Sequence, residues 1–186
     1  MRTLATCLAS AAAIWAGAGG VSSAQDTASA GPIAVTANAP TFCSVGELQA
    51  TDEMFDLGVL IDLSTGFLSP SLSAPPKTLT GAFCNAGSTI DISATPITAQ
   101  TVGGSPPSGY SDAVDFTATA SGWTTTPAVF STSTGADAQA SQTRPTAFAG
   151  NIVVSIGDFS TAGGPLRMVA DPVYQGSVTL TLTVAN

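Results

Sequence analysis

Apolar and polar residues alternate with a period of two through most of this chain. Phe55, Leu57, Val59 and Ile61 are interleaved with Asp56, Gly58, Leu60 and Asp62, and Ile90, Ile92 and Ala94 with Asp91 and Ser93. Val114, Phe116, Ala118 and Ala120 alternate with Ala113, Asp115, Thr117 and Thr119. A denser run, Asn151-Ile-Val-Val-Ser-Ile156, reads as a more buried strand. The clearest alternation comes last: Val178, Leu180, Leu182 and Val184 face one way, Ser177, Thr179, Thr181 and Thr183 the other. This period sends one set of side chains to a core and the other to water. Turn dipeptides separate the runs, among them Ser69-Pro70, Pro75-Pro76, Gly103-Gly104, Pro106-Pro107, Ser121-Gly122 and Gly163-Gly164-Pro165. Short strands at this spacing predict an all-β, antiparallel β-sandwich. The stretch Ser131–Pro145, rich in Ser, Thr, Ala and Gly, reads as a long exposed loop or hairpin tip.

The N-terminus follows a different rule. Arg2 precedes an uncharged run, Leu4 to Val21, and small residues Ser22, Ser23 and Ala24 close it. That is the pattern of a secretory signal peptide over residues 1–24, cleaved after Ala24, and Cys7 leaves with it. Its glycines, Gly17, Gly19 and Gly20, argue against a retained transmembrane helix. Cleavage takes 24 of the 186 residues, leaving 162, and removes Arg2, so Lys77, Arg144 and Arg167 stand against twelve acids at a net charge of −9. An acidic, lysine-poor surface repels phosphate backbones and anionic lipids, which disfavours nucleic-acid and membrane-surface partners, and with no second hydrophobic span in the sequence no membrane insertion of the mature chain is expected.

Composition then narrows the chemistry. Charged residues are only 9% of the chain, and 21 Ser and 26 Thr supply the polarity. There is no His at all, which removes Ser-His-Asp and Cys-His catalysis and histidine-ligated metals. Exported chains keep cysteines as disulfides, so Cys43 and Cys84 are expected to pair. Closing a loop of about 42 residues stabilises a fold by about 4 kcal/mol in the chain-entropy account.

Asp62-Leu-Ser-Thr-Gly66 has an aspartic-protease flavour, but its acid is not adjacent to Thr-Gly and has no second copy, so it reads as a turn. Asp52-Glu53 and Asp112/Asp115 are carboxylate pairs without an aromatic-rich cleft around them. Lys77, beside Pro76, reads as a solvated surface lysine, and Trp123 as a core residue. The expectation is a chain with no catalytic residues, no metal and no cofactor.

Several segments together resemble chaperone–usher pilins, including the spore-coat-U-like branch. Pro32-Ile-Ala-Val-Thr-Ala-Asn-Ala-Pro-Thr-Phe-Cys43 is similar to a pilin N-terminal extension and first cysteine. Phe55-Asp-Leu-Gly-Val59 is similar to the segment after that cysteine, and Thr78-Leu-Thr-Gly-Ala-Phe-Cys84 to the strand bearing the second. Tyr174 to Val184 resembles the last strand. The resemblance implies an immunoglobulin-like sandwich over residues 42–186 that lacks one strand, preceded by an extension at 25–41. Gly31, Ile33, Val35, Ala37 and Ala39 would then be donor-strand positions, and Val178, Leu180, Leu182 and Val184 would line the acceptor groove.

The implied function is a structural or adhesive subunit of a fimbria-like surface assembly, exported through the periplasm to the cell surface. Its partners would be like or related subunits joined by strand exchange, a periplasmic chaperone and usher, and a host or surface glycan. The alternative is a self-complemented monomer, its own N-terminal strand folded back, that binds carbohydrate or protein.

Overall fold

The computed structural model describes residues 31–49 and 53–185. The leader predicted over residues 1–24, residues 25–30 of the predicted extension, and Asp52 lie outside the described residues. The chain separates into two units, Met1–Asn38 and Ala39–Asn186. In the first, residues 31–38 carry no strand. The second holds the fold, which is built from strands and turns with no helix among the described residues.

Among the described residues ten strands follow in order: β1 (Cys43–Ser44), β2 (Lys77–Cys84), β3 (Ser88–Ala99), β4 (Tyr110–Ser111), β5 (Ala113–Ser121), β6 (Ala128–Ser131), β7 (Ser141–Arg144), β8 (Phe148–Thr161), β9 (Arg167–Met168) and β10 (Tyr174–Val184). Eight of them join in one sheet along the path β1-β2-β8-β5-β3-β10, with β6 on β5 and β7 on β3. Every pairing in that sheet is antiparallel. β4 and β9 form a separate short parallel pair.

The sheet becomes a sandwich because β3 and β5 stay bonded only briefly, at Ile97–Val114 and Thr98–Ala113. Beyond that corner they part. β5 takes β6 as its partner over Thr117–Ala120, and β3 takes β7 over Ser88–Asp91. One layer is therefore β1-β2-β8-β5-β6 and the other β7-β3-β10, hydrogen-bonded together along one side.

The alternation read from the sequence supplies the filling. On β5, Val114, Phe116, Ala118 and Ala120 are all buried; Ile152 and Val154 of β8 lie beside them in the same layer, and Ile90 and Ile92 of β3 join the same core from the other. Small residues (Ala82, Ala118, Ala120, Ala128) leave room for Trp123, which is completely buried. Its indole N–H donates to the Ser88 hydroxyl at 3.2 Å, and its ring meets Phe148 edge-on at 5.2 Å. The Arg144 guanidinium lies 3.7 Å from the Phe148 ring centre and donates to the Trp123 carbonyl at 2.7 Å. A buried indole whose N–H finds a partner brings its full apolar area to the core without a desolvation penalty.

Cys43 and Cys84 are bonded, directly opposite one another on β1 and β2. Just beyond β1, Gly46 adopts φ +80 and lies against the β2 backbone at Thr80, where a Cβ would collide with the Thr80 carbonyl. Only glycine lets this chain cross so closely. The bridge and the Glu47–Thr80 backbone pair together fasten the segment to β2.

Three local expectations are corrected. Residues 55–61 do not form a strand; only Ile61 makes an isolated bridge, to Leu68. Gly58 is left-handed at φ +63, and its N–H is taken by the Asp56 carboxylate at 2.9 Å, a local turn that breaks the alternation. The stretch 131–145 is not a single loop, because Ser141–Arg144 pairs with β3 through backbone groups that need no apolar side chains. Lys77 is not solvated: it is 9% exposed. As the first residue of β2 it shares the inward face with Leu79, and pleat parity overrides its charge.

Candidate functional site

The side of the sandwich opposite the β3–β5 corner is open. β10 pairs with β3 along one edge, from Tyr174–Ala99 to Val184–Ser88. Its other edge has no strand partner among the described residues. β1 comes near it, but is only two residues long and bonds β2 alone. Between β10 and β2 the layers therefore meet at a seam without hydrogen bonds.

That seam is an apolar groove of about 1130 Å³. Val178, Leu180 and Tyr174 form the β10 wall, Lys77 and Leu79 of β2 with Val154 and Ile156 of β8 the facing wall, and Phe116 and Ile97 the floor. Met168 and the chain at Phe55–Ile61 complete the lining. Ligand pockets for small molecules run from about 300 to 1,000 Å³. This groove is larger and lies beside an unpaired strand edge, a geometry suited to extended chain.

Polar groups are few and set at the margins. Lys77 reaches into the groove with its ammonium 5.9 Å from the Phe55 ring centre. Glu53, Asp56 and Asp171 lie along the lining. Asp171 fixes one end. Desolvation raises its carboxyl, but N–H donors from Val173, Thr101 and Val102 and the Thr101 hydroxyl outweigh that and hold it below the usual carboxylate range. Tyr174 donates its hydroxyl to the Val169 carbonyl at 2.8 Å. Burial pushes its phenol up, and the negative charges of Asp171 and Asp112 add to the effect.

The sequence-predicted positions divide accordingly. Val178 and Leu180 line the groove; Leu182 and Val184 are half-buried on the same inward face, with Leu182 packed on the core. Of the donor positions, Gly31, Ile33, Val35 and Ala37 fall in the first unit and Ala39 in the second. None is in a strand, and Ile33 and Val35 are 87% and 93% exposed. Lys77, Tyr174, Met168 and Phe55 were not expected at this site. For Lys77 a signal existed, since it stands two residues before Leu79 at the head of a β-branched, alternating run.

The other candidate groups are structural. Asp62 accepts from the Ser64 hydroxyl and N–H, which hold its carboxyl low, and Gly66 closes the turn at φ +72. Asp115 accepts from the Thr132 hydroxyl at 2.8 Å. Among the described residues no group of three or more His, Cys, Asp or Glu side chains is placed to hold a metal, and no helix is long and apolar enough to cross a membrane. Comparison with protein-family models, curated proteins and solved structures finds no match.

Proposed function

We propose that this chain is a non-catalytic structural or adhesive subunit of an exported, fimbria-like assembly, completed at its seam by an extended strand from a like or related subunit. One observation carries the reading: β10 is eleven residues long, uncharged from Tyr174 to Val184, and without a strand partner on one edge among the described residues, above an apolar groove. Natural proteins protect exposed edges with charges, prolines or very short strands. Here the only interruption is a bulge between Gln175 and Ser177, at the start of the strand. An edge left this way gains free energy by strand addition: backbone groups give affinity and pockets for alternate side chains give register.

The donor segment on this reading is Gly31–Ala39 of another copy, whose Ile33 and Val35 are the sizeable apolar residues among its alternate positions. A periplasmic chaperone would cover the edge before assembly, and a surface glycan is the partner for an adhesive role. Deletion of residues 25–40 tests this. The deleted chain should retain its strand circular dichroism spectrum and take up a peptide of residues 31–39, while only the full chain forms ladders on native gels. A stable, monomeric full chain beside an unfolded deletion variant would contradict it and identify a self-complemented fold.

A further inference from the structure

One wall of the groove at the seam is a segment that belongs to neither layer. Residues 53–61 read Glu-Met-Phe-Asp-Leu-Gly-Val-Leu-Ile, a strand-like alternation, yet they cross the groove without joining either layer. Phe55, Leu57, Leu60 and Ile61 are half-buried against the core, whereas Met54 and Val59 point to solvent. The turn at Asp56–Gly58 explains the change of parity, from 55 and 57 inward before it to 60 and 61 after it. Among the described residues, the backbone of 53–59 makes no hydrogen bond to another backbone group. As far as Val59 the segment is held by side-chain packing, and it is anchored behind that point, where the Leu60 carbonyl accepts from the Ser69 N–H and Ile61 bridges Leu68. Segments of this kind open at much lower free energy than a hydrogen-bonded ladder.

We infer that Phe55–Val59, hinged at Leu60, is a displaceable latch that covers the groove in the isolated chain and swings away when an extended strand pairs with β10. The inference rests on the strand-acceptor reading and adds its regulation. A strand on the open edge of β10 directs alternate side chains into the space between Val178, Leu180, Leu79 and Phe116, and Phe55 and Leu57 line that same space. Phe55 and Leu57 pack against the core there, so a donor's side chains compete with them for the same contacts. The latch keeps apolar surface covered until a donor arrives. It also lowers the apparent affinity of any donor by the fraction of chains in which it is open. A segment that was merely a wall of the groove would behave oppositely, since the donor would pack on it.

The sign of a binding change separates these cases. Monomeric full chain is titrated with a labelled synthetic peptide of residues 31–39, as wild type and as Phe55→Ala, Leu57→Ala and Leu63→Ala. The latch predicts roughly tenfold tighter apparent binding for Phe55→Ala and Leu57→Ala, through a larger open fraction, and no change for Leu63→Ala, which is exposed and outside the groove. Unchanged or weaker binding in the first two overturns the latch while leaving strand acceptance intact. No binding to any of the four proteins overturns strand acceptance itself. Limited chymotrypsin digestion of the wild type gives a reading that needs no variant to fold: saturating peptide should speed cleavage after Phe55 and Leu57, and unchanged or slower cleavage overturns the latch.

Discussion

Asp171 shows how a single side chain closes a loop that has no strand to hold it. One carboxylate oxygen accepts from the N–H groups of Thr101 and Val102 and the Thr101 hydroxyl, and the other from the N–H of Val173, so two distant connections are tied at one end of the groove. Hydrogen bonds to the ionised form lower a carboxyl pKa, and that shift is also a stability term. Asp171 and Asp62 are both held below the usual value of 3.8. Each therefore contributes stability that is fully present above that value and is lost as the pH falls through the lower, folded-state value. Thermal melts should be flat from pH 7 to about pH 5 and fall below about pH 4. Asp171→Asn should lower the melting temperature at pH 7 and flatten the acid fall; an unchanged acid limb would show that the carboxylate does not hold the loop.

At the scale of elements, alternation was informative wherever the segment joins a backbone ladder. The pattern of β5 places Val114, Phe116, Ala118 and Ala120 inward, and all four are buried. Residues 55–61 have equally good alternation and are no strand, because Asp56 and Gly58 form a turn through a side-chain hydrogen bond that periodicity cannot register. β7 was illegible for the reverse reason. Ser141–Arg144 owes its strand to a ladder with β3, and its side chains carry no signal. The groove was half legible: Val178 and Leu180 follow from the parity of β10 and Lys77 from that of β2, whereas Met168 and Phe55 enter it through contacts between distant segments.

β10 itself yields a paired prediction. Leu180 faces the groove and Thr181 faces solvent, so Leu180→Asp should lower stability by roughly 1–3 kcal/mol through an unpaired charge on the inward face. Thr181→Asp should stay within about 0.5 kcal/mol. Equal loss from both in thermal melts would reverse the face assignment.

For the whole molecule, a sandwich bonded along one side and open along the other depends on what fastens the open side. The Cys43–Cys84 bridge secures the strand bordering that side, holding β1 to its neighbour β2 within one layer across a sequence separation of 41. Breaking it returns loop entropy to the unfolded chain, so Cys43→Ser should lower stability by about 2–4 kcal/mol without changing the strand content. Unaltered denaturant midpoints would show that the Glu47–Thr80 pairing and the apolar packing suffice alone.

The central claim is that the open edge of β10 is a site for an added strand, and amide hydrogen exchange of the full chain tests it most directly. On addition of the peptide of residues 31–39, those β10 amides that do not bond β3 should slow markedly between Tyr174 and Val184, with the β5 and β8 amides unchanged. Peptide binding that leaves every β10 amide at its original rate would place the ligand elsewhere and contradict the account.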